Sequence, residues 1–96
     1  MLTLESLNDC FKSAVANNYK YVAVRISIGL TKEEVIINPR ENFEEKLSYY
    51  NTAYDESLRH KFAGGENIRI TGFIYGNSFY ELEEVLNIYD ATGYLN

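Results

Sequence analysis

YVAVRISI, residues 21–28, is the stretch of the chain that decides its fold. Its residues alternate with a period of two, the pattern of a β-strand that has two distinct faces. One face carries Val22, Val24, Ile26 and Ile28, and the other carries Tyr21, Ala23, Arg25 and Ser27. Four β-branched residues on one face favour a central place in a sheet.

Two further strands are predicted around this one. Residues 29–32 turn the chain into a second strand at 33–38, which forms a hairpin with the first. A third strand at 67–75 alternates again, with Ile68, Ile70 and Ile74 on one face and Arg69, Thr71, Phe73 and Tyr75 on the other. The third strand lies beside either the first strand, in an antiparallel sheet, or the second, in a mixed sheet. We favour the first arrangement because it makes 21–28 the central strand.

Three helices are predicted between and around the strands. Thr3 is the expected N-cap of the first helix, which stops at Asn17-Asn18. The second helix starts at one of two cap-like motifs, around Pro39 or around Asn42. Its apolar stripe predicts a helix that reaches about residue 62, near a Gly64-Gly65 stop: Phe43, Leu47, Tyr50, Tyr54 and Leu58. Ser78 and Glu81 form a capping-box motif that opens the third helix.

The fold class expected from these elements is α+β, with a three-stranded, mainly antiparallel sheet and three helices in the order α-β-β-α-β-α. At 96 residues the chain is expected to form a single domain over residues 1–96, because a chain of this length has no room for a second core.

Charge is distributed unevenly along the chain. Residues 70–96 contain Glu81, Glu83, Glu84 and Asp90 and no Lys or Arg, whereas the rest of the chain is nearly balanced, within a net charge of −5. An asymmetry of this kind concerns partners and not fold. It predicts an acidic surface that attracts a basic partner and makes nucleic acid an unfavourable one.

Several other classes of protein are not indicated. The longest apolar runs are three residues, so no membrane partner is expected. A single cysteine allows no intramolecular disulfide, and the start of the chain lacks a secretory signal, so we expect a cytoplasmic protein. No metal- or cofactor-binding motif is present, and none of these groups is expected.

Candidate catalytic residues are few. His60 is the only histidine and stands in Arg59-His60-Lys61, which favours a charge near the end of the second helix. Cys10 stands mid-helix beside Asp9, where burial is the simpler interpretation. Adjacent acids occur at Glu33-Glu34, Glu44-Glu45 and Glu83-Glu84, and the last two pairs lie in the first turns of helices, where the helix dipole favours them. With no nucleophile–base pair visible, we expect a non-enzymatic protein.

The preferred hypothesis is a small acidic protein that binds or regulates another protein, with homodimer formation as a variant of it. Nine tyrosines exceed what the core needs, and Tyr49 is expected to point outward. Aromatic residues are typical of protein interfaces. The residues expected to contact the partner are Tyr49, Glu44, Glu45, Tyr80, Glu81, Glu84 and Tyr94.

The alternative hypothesis is a single-stranded nucleic-acid or nucleotide-binding module. An aromatic and arginine-bearing sheet face can stack bases. Its expected residues share the face opposite the main valine–isoleucine core: Arg25, Arg69, Phe73 and Tyr75. The net negative charge opposes this hypothesis, because the phosphate backbone requires a basic surface.

In size, acidity and tyrosine content the chain resembles small proteins that phages and mobile elements of Gram-positive bacteria encode. Some of those proteins inhibit host nucleases or defence systems by occupying nucleic-acid sites. The resemblance is one of composition and transfers no functional residue. It implies a host nucleic-acid-binding or defence protein as the partner.

Overall fold

The computed structural model describes residues 2–62 and 67–88. Within these residues, three helices and three strands follow one another in the predicted order α-β-β-α-β-α. They are α1 (Leu4–Ala16), β1 (Tyr21–Ile28), β2 (Lys32–Pro39), α2 (Phe43–Ala53), β3 (Ile68–Gly76) and α3 (Phe79–Ile88), with a 3-10 turn at Arg40–Asn42 before α2. The α+β fold class is confirmed.

The described strands form an antiparallel sheet in the order β2-β1-β3. The stretch 21–28 is therefore the central strand, and the third strand lies beside the first, as favoured. Helices cover both faces of this sheet. The α1/α2 face carries the larger core, which contains Val22 and Val24 with Phe11 and Tyr50 from the two helices. The α3 face carries a smaller core of Ala23, Ile74, Leu82 and Leu86.

A β-bulge in β3 changes the predicted faces of that strand. The register with β1 shifts by one residue between Arg25 and Ile26, so Thr71 has no partner in the ladder. An extra residue reverses the side to which every later side chain points. The predicted grouping of Ile68, Ile70 and Ile74 is therefore wrong, since Ile74 faces α3 while the other two face α1 and α2.

The second helix is shorter than predicted. It ends at Ala53, because Tyr54 is extended and the Asp55 carboxylate accepts hydrogen bonds from the backbone N–H groups of Ser57 and Arg59. Such Asx turns compete with helix formation. Leu58 then adopts a positive φ of 65° and is fully buried, so the apolar stripe predicted burial here and not helix.

The segment after this turn pairs with β3. His60 donates its N–H to the carbonyl of Ile68, and Ile70 donates to that of Leu58. The placement of His60 near a helix end is therefore wrong, since it lies in an extended segment opposite Tyr54. The Gly64-Gly65 stop lies outside the described residues.

The predicted starts of the first and third helices agree with the structure. Thr3 and Ser6 form a reciprocal capping box on α1, and Asn17 and Asn18 follow its end, the latter with a φ of 59°. At α3, the Ser78 hydroxyl accepts the N–H of Glu81 at 3.3 Å, which is one half of the predicted box. These caps satisfy backbone groups that a helix leaves unpaired at its first turn.

Candidate protein-binding surfaces

The residues expected to contact a partner lie on opposite sides of the sheet. Glu44, Glu45 and Tyr49 belong to α2, on one face, whereas Tyr80, Glu81 and Glu84 belong to α3, on the other. Tyr94 lies outside the described residues. The described residues of this set therefore form two separate surfaces.

The first candidate, called here the α3 surface, consists of Phe79, Tyr80, Glu81, Glu83 and Glu84. Leu82 and Leu86 point into the sheet and are fully buried, which turns the rest of the helix toward solvent. Tyr80 is 84% exposed, and the three glutamates are exposed as well. Tyr80 and Glu84 are four residues apart and so are neighbours on the helix surface.

Phe79 adds a second aromatic ring to this surface, which sequence reasoning missed. Its ring is 45% exposed and lies edge-on to Tyr21 of β1, with 6.3 Å between ring centroids. The Phe79 and Tyr80 rings lie 5.9 Å apart. The signal was present in Ser78-Phe79-Tyr80-Glu81, because a residue directly after an N-cap is often too far from the core to be buried. The result is a pair of rings flanked by acids.

The second candidate surface is the outer side of α2. Tyr49 is 47% exposed, as predicted, and its ring packs edge-on against buried Tyr50. The Lys46 ammonium lies 5.4 Å from the centroids of both rings, which places a cation in contact with this surface. Glu45 is exposed one turn before Tyr49. This surface therefore mixes both signs of charge, unlike the α3 surface.

Glu44 points away from Tyr49, into an open groove between α1 and α2. The groove has a volume of about 500 Å³ and an apolar floor. Its lining is formed by Phe11, Lys12, Val15, Ala16, Arg40, Phe43, Glu44 and Leu47. No pattern in the sequence indicated it, because it depends on how two helices from different parts of the chain diverge.

An aromatic cluster around His60 was also missed. The His60 ring packs edge-on against Tyr54, 5.0 Å between centroids, and lies 6.2 Å from Phe62. Its Nδ1 accepts the backbone N–H of Phe62 at 3.1 Å, which leaves Nε2 3.5 Å from the Tyr49 hydroxyl. These contacts give His60 a structural role in holding the segment after the Asx turn.

Arg25, the first residue of the alternative nucleic-acid site, is buried. Only 6% of it is exposed, and its guanidinium is enclosed between the bulge and α3. Nε donates to the Thr71 hydroxyl at 2.9 Å, Nη2 to the Thr71 carbonyl at 2.8 Å, and Nη1 to the Leu86 carbonyl at 2.6 Å. Glu33 adds an ion pair at 3.4 Å. Each nitrogen of Arg25 is used within the fold.

The other members of the alternative site are not brought together. Phe73 is 1% exposed and Tyr75 is also buried, both within the α1/α2 core. Arg69 is exposed, on the α3 side of the sheet next to Ser27. The bulge turns Phe73 and Tyr75 toward α1 and α2, whereas Arg25 and Arg69 lie on the α3 side of the sheet. The expected aromatic and arginine-bearing face is therefore not formed.

The buried thiol of Cys10 lies outside these surfaces and is unreactive. Burial raises the pKa of the Cys10 thiol to about 12, so it stays protonated at neutral pH and is a poor nucleophile. Among the described residues, no three His, Cys, Asp or Glu side chains come together in a group that could hold a metal ion.

Comparisons with known proteins add no family to this description. A scan against protein-family models finds no match, and neither do searches of curated proteins and of solved structures. Within the described parts of the chain, none of the helices combines the length and the apolar character that crossing a membrane requires.

Proposed function

We propose that this protein is a non-enzymatic binding protein whose α3 surface docks on a basic surface of another protein. The observation that carries the proposal is the exposure of Tyr80 in the first turn of a helix whose solvent side holds three glutamates. An aromatic anchor inside a ring of charges is the usual anatomy of a protein interface.

The charge of the α3 surface supports a basic partner. No Lys or Arg occurs after Arg69, so no cation of α3 itself offsets its glutamates. Complementary charge steers encounter and selects partners more than it adds affinity. Tyr80 and Phe79 would then contribute most of the binding free energy, because exposed aromatic rings lose the most water-accessible apolar area on docking.

A nucleic-acid-binding or defence protein is the partner class we favour. Such proteins carry basic grooves that neutralise phosphates. An acidic helix with protruding rings would occupy that groove in place of the nucleic acid. Cytoplasmic location is part of the same proposal, since such partners act there.

The test is an affinity capture from bacterial lysate, compared between wild-type bait and two variants of the α3 surface. One variant is Tyr80→Ala and the other is Glu83→Lys with Glu84→Lys. We expect a partner that is held by the wild type, resists nuclease treatment and is released as salt rises. Each variant should weaken its affinity by about tenfold or more.

The matched control carries the same change of charge on another helix. Glu5→Lys with Asp9→Lys alters two exposed acids of α1 and leaves α3 intact. This control should retain the partner like the wild type. Equal loss in the control and in the Glu83/Glu84 variant would show that only net charge matters, and full retention by Tyr80→Ala would remove the aromatic anchor from the proposal.

A further inference from the structure

Two arginines face each other across the bridge that joins the segment after α2 to β3. Arg59 is paired with Arg69 in antiparallel orientation. The flanking hydrogen bonds, His60 N–H to Ile68 and Ile70 N–H to Leu58, are 2.8 and 2.9 Å long. Bonds on both sides identify Arg59 and Arg69 as the close, non-hydrogen-bonded pair, in which the Cα atoms lie about 4.5 Å apart and the side chains leave on the same side.

Among the described residues, no carboxylate forms an ion pair with the side chain of Arg59 or of Arg69. Arg59 and Arg69 are both exposed, and the ion pairs within residues 2–62 and 67–88 join Arg25 to Glu33 and Lys32 to Glu34. Like charges directly opposite each other destabilise an antiparallel pair. An anion placed between the two guanidinium groups would turn this repulsion into attraction.

The backbone holds both arginines in place without help from a ligand. The N–H of Arg59 donates to the Asp55 carboxylate at 3.0 Å, and neighbouring Leu58 is fully buried. Arg69 lies within β3, in register with Ser27 of β1. Because the two backbone positions are already fixed, only the side chains lose conformational entropy on binding, which favours recognition of a small anion.

We infer that Arg59 and Arg69 form a binding site for a phosphate group. A guanidinium presents a planar fork of donors that matches phosphate oxygens, and two forks can bind one phosphate from both sides. A phosphate dianion neutralises both arginines, whereas a single carboxylate neutralises only one.

This site is separate from the α3 surface. Phe79 contacts Tyr21 at the start of β1, whereas Arg69 pairs with Ser27 near its end. Six residues of strand place Tyr21, and with it the aromatic end of the α3 surface, about 20 Å from Ser27. The two proposals rest on different residues, so a failure of one does not decide the other.

The experiment measures thermal unfolding while sodium phosphate replaces sodium chloride at constant ionic strength. A ligand that binds only the folded state raises Tm, and at about ten times its Kd we expect a rise of about 7 °C. Arg59→Gln with Arg69→Gln should abolish this rise. Lys12→Gln with Lys20→Gln makes the same change of net charge at two exposed lysines and should keep it.

A charge swap separates loss of binding from loss of folding. Arg69→Glu places an acid opposite Arg59, so the variant should unfold at the wild-type temperature or above and yet not respond to phosphate. A wild type that does not respond, a Lys12/Lys20 control that loses the rise as fully as the arginine variant, or an Arg69→Glu variant that keeps it would each overturn the inference.

The source of the phosphate is decided by the ligand that competes best. Inorganic phosphate, a nucleoside monophosphate and a short single-stranded oligonucleotide are titrated into the wild type and the Arg59/Arg69 variant. Tighter binding of the oligonucleotide, lost in the variant and weakened by salt, assigns the site to a nucleic-acid backbone. Equal binding of all three assigns it to a free phosphate group.

Discussion

Arg25 of β1 donates a hydrogen bond to the last turn of α3: its Nη1 lies 2.6 Å from the backbone carbonyl of Leu86. A cation beside the last turn of a helix complements the helix dipole. The last turn of α3 contains no basic residue. The central strand supplies the missing cation, and in doing so it fixes α3 against the sheet.

Removal of this side chain should loosen α3. Arg25→Ala leaves the carbonyls of Thr71 and Leu86 without their charged donor inside the structure, so we expect a loss of about 3 kcal/mol in the free energy of unfolding. Urea denaturation measures this loss, and hydrogen exchange should show the amides of α3 opening first. Arg69→Ala, an exposed arginine on the same face, is the control and should change stability by less than about 0.5 kcal/mol.

A side chain at Gly72 should destabilise the protein. A Cβ there would lie 3.3 Å from both Arg25 Nη2 and Leu86 Cδ2, closer than ordinary contact. We expect Gly72→Ala to cost about 1–3 kcal/mol, the usual range for overpacking, and to displace α3 rather than the sheet. Denaturant unfolding gives the cost. An unchanged midpoint would mean that the guanidinium moves aside freely.

Substitution of Phe73 should lower the stability of the fold, whereas substitution of Tyr80 should leave it nearly unchanged. Phe73→Ala empties a site in the α1/α2 core and should cost about 3–5 kcal/mol. Tyr80→Ala removes an exposed ring and should change the free energy of unfolding by less than about 0.5 kcal/mol. The two variants are compared by urea denaturation. A stable, well-folded Phe73→Ala protein would contradict the buried position of this ring.

Alkaline pH should unfold the protein. Burial raises the pKa of Tyr50 from 10.0 to about 12 and that of Cys10 from 9.0 to about 12, so the folded state favours their neutral forms. Stability is therefore fully present below about pH 9 and is lost as pH rises toward 12. Urea denaturation at pH 7, 9 and 11 should show a fall of several kcal/mol at the highest pH. Tyr50→Phe should make this fall smaller, and an equal fall in the variant would exclude Tyr50 as a cause.

The sheet was predictable because its signals are local. Alternation over 21–28 set the central strand, and the topology followed from placing its β-branched face inward. The sequence analysis missed the faces of β3 because the bulge at Thr71 breaks the alternation, and the one signal for it was Gly72, a glycine inside a strand of the kind that often marks a bulge. What makes the bulge possible is Arg25, forty-six residues earlier, which binds the groups that the ladder leaves open.

The error in the second helix has a similar origin. Tyr54 and Leu58 continue the apolar stripe of α2 and are buried, so the periodicity was informative about the core. It could not show that Asp55 would cap a turn between them. A side-chain hydrogen bond of that kind competes with a helix on nearly equal terms, and the pairing of residues 58–60 with β3 decides the outcome.

The candidate surfaces were predictable in part. Exposure of Tyr49 and of the helix-start glutamates followed from helix periodicity, which assigns each residue to a face. The separation of α2 and α3 to opposite sides of the sheet is a property of topology, and it divides the expected contact residues into two groups. The Arg59–Arg69 pair could not be predicted, because residue 59 was expected to lie in a helix and a helical residue forms no bridge with a strand.

The place of α3 after all three strands in the chain also matters during folding. The strands and the two helices of the larger core all lie before residue 77, and α3 alone of the described helices covers the second face of the sheet. Before α3 docks, this face exposes an apolar area formed by Ala23, Ile74, Val35 and Ile37. An uncovered sheet face promotes association between nascent chains. Slow docking of α3 onto the sheet would therefore favour aggregation, whereas rapid docking would prevent it.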